Sequence, residues 1–93
     1  MKLPPIELLE AVHQFPGNYT FKIIAENEAT IIERVVDQMK QICPRLKDVP
    51  YTSRLTENKK YLSITIDIVV ESAQEIHTLY NSLLKVSGIV LML

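Results

Sequence analysis

Residues 61–93, YLSITIDIVVESAQEIHTLYNSLLKVSGIVLML, decide the fold. The first ten alternate strictly. Leu62, Ile64, Ile66, Ile68 and Val70 line one face, and Ser63, Thr65 and Asp67 the other. A period of two with β-branched residues predicts a half-buried strand. The pattern then changes. Ser72 followed by Glu75 is a capping box. After it Ala73, Ile76, Leu79, Tyr80, Leu83 and Leu84 recur at helical spacing. Gly88 is placed to end this helix, and IVLML (89–93) reads as a final strand.

Working toward the N-terminus, ENKK (57–60) reads as a hairpin turn and YTSRLTE (51–57) as a short strand. Before them Ile31, Ile32, Val35, Val36, Met39 and Ile42 form an amphipathic helix that Pro44 ends. Asn27 is its expected cap. NYTFKIIAE (18–26) alternates Tyr19, Phe21, Ile23 and Ala25 with Thr20, Lys22, Ile24 and Glu26, which predicts another half-buried strand. At the start Pro5 suits the first turn of a helix through IELLEAVHQ (6–14), stopped by Pro16 and Gly17.

After the N-terminal helix the order is thus β-α-β-β-α-β, the split arrangement of a ferredoxin-like α+β sandwich. Right-handed crossovers put both helices on one face of a four-stranded antiparallel sheet in the order 4-1-3-2. The covered face is expected to hold Tyr19, Phe21, Ile23, Ile64, Ile66 and Ile68. A length of 93 residues fits a single domain, with residues 1–16 as N-terminal helix and turn and 17–93 as core.

Composition narrows the function. A formal net charge of −1 gives no drive toward DNA or an anionic membrane. No apolar run approaches the roughly 20 residues of a membrane span. The N-terminus has Pro4, Pro5, Glu7 and Glu10 where a signal peptide needs an unbroken apolar stretch. The lone Cys43 suits a reducing, cytoplasmic setting.

The chemistries this fold supports elsewhere lack their residues here. A metal chaperone needs paired thiolates at the first strand-to-helix junction, and AENEAT (25–30) has none. An acylphosphatase-like enzyme needs a basic phosphate cradle there, and this junction is acidic. An RNA-recognition sheet needs aromatics on its open face, which here offers Thr20, Lys22, Ile24, Ser63, Thr65 and Asp67. His13 and His77 lie on different elements without metal-ligand spacing. Cys43 reads as a half-buried small hydrophobe. Asp67 and Lys22 are expected to face each other as a cross-strand ion pair on the open sheet face. No catalytic residue, metal or cofactor is expected.

Two stretches carry a family resemblance: ELLEAVHQFPGNYTFKII (7–24), a leucine-rich helix leading through a Phe-Pro turn into an aromatic strand, and the whole of 61–93. The sequence resembles the YbeD-like proteins, a family of small bacterial proteins without established biochemical activity. The resemblance implies an ACT-like topology, and through labels on some members a link to lipoate metabolism. An ACT domain that binds an amino acid usually has a glycine after its first strand, where the backbone must approach the ligand. This chain reads Ala25-Glu26-Asn27-Glu28 there.

The expected function is therefore a small, non-enzymatic regulatory or protein-interaction domain. The alternative is ACT-like sensing of a small metabolite, with Glu26, Asn27 and Glu28 as the candidate ligand loop, and a weak RNA binder or enzyme is a distant third. The edges of the sheet are the second and fourth strands. Pro50, Arg54, Lys59 and Lys60 guard the second. The fourth carries no charge and no proline, so Ile24, Ile89, Val90, Leu91, Met92 and Leu93 form the candidate interaction surface. Ile24, Val90 and Met92 are expected on the open sheet face. There the N-terminal helix could cover them through Ile6, Leu9 and Val12, or a partner or second copy could pair.

Overall fold

The computed structural model describes residues 3–93. Its elements are α1 (Ile6–Val12), β1 (Gly17–Glu26), α2 (Ile31–Ile42), β2 (Tyr51–Leu55), β3 (Tyr61–Val70), α3 (Ala73–Leu83) and β4 (Ile89–Met92). The sheet runs β2-β3-β1-β4, and every neighbouring pair is antiparallel. Read from the other end, this is the expected 4-1-3-2 order.

The period of two in β3 becomes a period in burial. Leu62, Ile64, Ile66, Ile68 and Val70 are all buried, and the residues between them are half-buried or exposed. β1 does the same with Phe21, Ile23 and Ala25, while Tyr19 is only half-buried. From the helix layer Ile31, Val35 and Met39 of α2 and Ala73, Ile76, Leu79, Tyr80 and Leu83 of α3 close on these strands. Removing this apolar surface from water is the main favourable contribution to folding.

The capping box at α3 forms in altered form. The Ser72 hydroxyl accepts from the Glu75 N–H at 3.1 Å, but the Glu75 carboxylate reaches the Glu71 N–H at 3.0 Å. Gly88 does not end α3, which stops at Leu83. It turns the chain into β4 with φ +97°, and a Cβ there would stand 2.9 Å from both Glu28 Oε1 and Ile31 Cδ1. The positive φ would strain any side chain there, and a Cβ would also push aside the ends of the Glu28 and Ile31 side chains.

Besides the Gly88 stop, the expected cap of α2 is not met, and of the two covers left open for the sheet α1 is not the one observed. The cap of α2 is at Thr30, without a side-chain hydrogen bond, and Asn27 is engaged elsewhere. And α1 does not cover the open face of the sheet. It lies on the helix side against α3, with Leu9 fully buried and Leu3 and Ile6 packed on the core. His77 on α3 fixes it there, since its Nε2 lies 2.7 Å from the Pro4 carbonyl. A carbonyl only accepts, so that ring nitrogen carries the proton. Val12 is left 65% exposed.

Candidate functional site

Three regions bear on function. The first is the junction that began as a candidate ligand loop. Asn27 donates from Nδ2 to the Lys59 carbonyl at 2.9 Å and from its backbone N–H to the Lys60 carbonyl at 3.1 Å. Glu28 is ion-paired with Arg34 of α2, whose other terminal nitrogen donates to the Ser87 carbonyl at 2.7 Å. The junction is thus a clasp that joins β1, the β2–β3 hairpin, α2 and the turn before β4. Glu28 and Asn27 are spent on structure, while Glu26 stays exposed at the strand end. Arg34 and Ser87 were not legible as partners, because 53 positions separate them.

The second region surrounds Cys43, just after α2. Its thiol is buried and donates to Glu75 Oε2 at 3.3 Å. Glu75 is also ion-paired with Arg45, which lies 3.4 Å from Glu71 Oε1 and donates to the Val69 carbonyl at 3.1 Å. Burial pushes the thiol up to about 11, with the Glu75 carboxylate adding to the shift and Arg45 opposing it. A thiol held protonated is a poor nucleophile. An open cleft of about 420 Å³ borders Arg45 and is lined also by Asn18, Lys47, Asp48 and Asp67. Among the described residues no group of three or more His, Cys, Asp or Glu side chains is placed to hold a metal ion. His13 instead sits edge-on to Tyr19, with ring centres 5.5 Å apart, and Tyr19 continues the stack to Phe21 at 5.0 Å.

The third region is the open face of the sheet with the β4 edge. Register corrects the expected ion pair here. Asp67 stands opposite Thr20, whose hydroxyl donates to it, and Lys22 stands opposite Thr65. Register also corrects β4. Met92 pairs with Ile23 and Leu91 with Ile24, but Ile89 pairs with Ala25, so an irregularity at Val90 resets the alternation. Such a bulge leaves one residue without a partner and shifts the parity of the strand. Met92 is consequently in the core and Leu91, not Met92, shares the open face with Ile24. Val90, Leu91 and Leu93 are 47%, 41% and 56% exposed. Ile89 is half-buried and packs on the core.

Across this face Leu91, Ile24, Ser63 and Arg54 form one row, and Lys22, Thr65 and Thr52 the next. Thr52, Ser53, Arg54, Ser63 and Thr65 surround a shallow depression of about 230 Å³. Among the described residues neither Lys22 nor Arg54 makes an ion pair.

A four-stranded antiparallel sheet with two helices on one face defines a ferredoxin-like, ACT-like α+β domain. The chain superposes on the ACT domain from GTP pyrophosphokinase of Chlorobium tepidum with a TM-score of 0.53 at 18% identity, covering 82% of this chain and 94% of that one. It superposes on protein HP0495 from H. pylori with a TM-score of 0.73 at 13% identity, covering 100% and 98%. At these identities the likeness concerns fold alone. Residues 10–93 match the family model described as "Protein of unknown function (DUF493)", and the chain belongs to that family. It is 36% identical to a UPF0250 protein of Shewanella amazonensis, over 82% of this chain and 84% of the relative. A UPF0250 protein of Pasteurella multocida is 29% identical over 91% and 94%. The YbeD-like resemblance read from the sequence is borne out. No helix among the described residues is long and apolar enough to cross a membrane.

Proposed function

We propose that this protein is a non-enzymatic regulatory or protein-interaction domain that works through the open face of its sheet and the adjoining β4 edge. One observation carries the reading: α1 packs on the helix side, so Val90, Leu91 and Leu93 stay exposed, with half-buried Ile24 beside them, at an uncharged strand edge. An edge of this kind invites pairing unless something covers it. The variant that tests it is Val90→Lys with Leu91→Lys, both exposed, followed by light scattering and pull-down. The expected result is a folded protein that has lost its self-association or its partners. A folded variant that keeps both removes the reading.

ACT-like sensing of a small metabolite, with the lipoate link the family resemblance implies, has the fold in its favour. The clasp opposes it, because Asn27 and Glu28 already bond to Lys59 and Arg34. A thermal-shift screen with amino acids, lipoate and lipoyl peptides tests it. A true ligand at 100 times its dissociation constant stabilises the fold by about 2.7 kcal/mol.

A further inference from the structure

We propose that the open face of the sheet docks an amphipathic helix of a partner protein, one that carries a carboxylate about two turns away from an apolar side chain. This rests on the interaction reading above and adds the chemistry of the partner. The face divides into two zones. Toward β4 it is apolar, with Leu91, Leu93 and Ile24. The cations are Arg54 on β2 and Lys22 on β1, the latter next to Leu93, and among the described residues neither has an ion pair; set on a diagonal, they flank the hydroxyls of Thr52, Ser63 and Thr65. Asp67 lies one row beyond Thr65 and already accepts from Thr20, and Glu26 lies at the far end of β1. The positive zone is therefore bounded by acids, which fixes where an incoming carboxylate can sit.

The spacing follows from strand geometry. Leu91 on β4 and Ser63 on β3 share a row two strands apart, about 10 Å at the usual spacing. A helix advances about 1.5 Å per residue, so seven residues span that distance and return to the same face. A helix lying across the strands thus sets an apolar side chain on Leu91 and Ile24 and a carboxylate between Lys22 and Arg54. A free anion would leave the apolar zone uncovered, and a basic segment would meet two unpaired cations, so an acidic amphipathic segment is the occupant that matches both zones. The interior strands β1 and β3 have their backbone groups paired with neighbours, so on this face only side chains are available to bind.

The test selects a phage-displayed library of random 16-residue peptides against the folded protein and measures enriched peptides by fluorescence anisotropy. The expected peptides carry Asp or Glu seven positions from an apolar residue. They should bind Lys22→Glu with Arg54→Glu about tenfold more weakly than wild type, and Leu91→Lys more weakly as well. Exchanging the peptide's acid for lysine should restore binding to the charge-reversed protein, which a merely structural role for Lys22 and Arg54 would not produce. The proposal is overturned if no peptide is enriched, if enriched peptides lack the acid, or if charge reversal leaves their binding unchanged. It is also overturned if the charge reversal dissolves an oligomer of this chain, since the occupant is then a second copy. If Val90→Lys with Leu91→Lys loses partners that the Lys22 and Arg54 variant keeps, the carboxylate assignment fails and the interaction reading stands. If neither variant loses anything, both fail.

Discussion

The two faces of the sheet are written in the same strands and have opposite fates. On the covered face of β1 and β3, Ile23, Ile64 and Ile66 are fully buried beneath α2 and α3. One residue away in each case, Ile24, Ser63 and Thr65 are half-buried on the face that no described element covers. Alternation alone separates the faces, and a shift of one residue would exchange them. The covered face explains stability. The open face, rimmed by an uncharged β4, is the face on which the proposed interaction rests.

The comparison breaks most visibly at β4, where the bulge decides which residue belongs to which face. Met92→Lys would bury an ammonium in the core and should cost about 4 kcal/mol or more. Leu91→Lys, next door on the open face, should cost less than about 0.5 kcal/mol. Urea denaturation of the two variants reads the difference. A larger cost for Leu91→Lys than for Met92→Lys would mean that β4 alternates regularly from Ile89 and that Met92 does not belong with Ile23.

That parity shift marks the limit of what the sequence discloses. The strands and both long helices are legible because each repeats its period several times, and Ser72 announces the start of α3. Four-residue β4 is too short to show that its alternation slips at Val90. The side on which α1 packs was hidden too, because Ile6, Leu9 and Val12 would suit either face. It is fixed by the His77 contact with Pro4, 73 positions away. The Lys22–Asp67 pair needed the register of β1 against β3, which an apolar pattern with period two constrains only in parity. For the candidate site the apolar rim could be read from 89–93, but the zone formed by Lys22, Arg54 and three hydroxyls depends on strands brought together by the fold.

On β3 the comparison can be sharpened within two residues. Ile66→Ala should cost about 3 kcal/mol, the loss of a buried side chain plus the cavity it leaves. Thr65→Ala should cost under about 1 kcal/mol, the span of strand propensity on an uncovered face. Matched thermal and urea melts measure both. Small, equal effects would mean that the helices do not close on β3 as described.

The covered side should also be chemically quiet. Cys43 has its thiol raised from an ordinary 9.0 to about 11. The folded value exceeds the unfolded one, so this contribution to stability is complete below about pH 9 and is lost as pH rises toward 11. That rise lowers the thiolate fraction at neutral pH about a hundredfold, and alkylation should slow to match. Cys43→Ala should flatten the alkaline loss of stability. Alkylation as fast as in a free cysteine would show that the Glu75 contact and the burial do not persist in solution.

The smallest effect is expected from a polar contact that crosses the open face between interior strands. Thr20 donates to Asp67 on the neighbouring strand, and both side chains are exposed. An exposed hydrogen bond to a carboxylate exchanges readily with water, so its net worth is small, about 0.5–1 kcal/mol even though one partner is charged. Thr20→Val, Asp67→Ala and the double variant form a cycle whose coupling energy isolates the pair. Thr20→Val keeps the β-branched shape and removes only the donor, which keeps strand propensity out of the comparison. A coupling in that range would show an open face held by side-chain contacts that water nearly matches, and so free to exchange them for a partner's. A coupling of several kcal/mol would mean that Asp67 is shielded from solvent, so that something covers this face after all. The contrast between the two faces would then have to be redrawn around whatever lies over it.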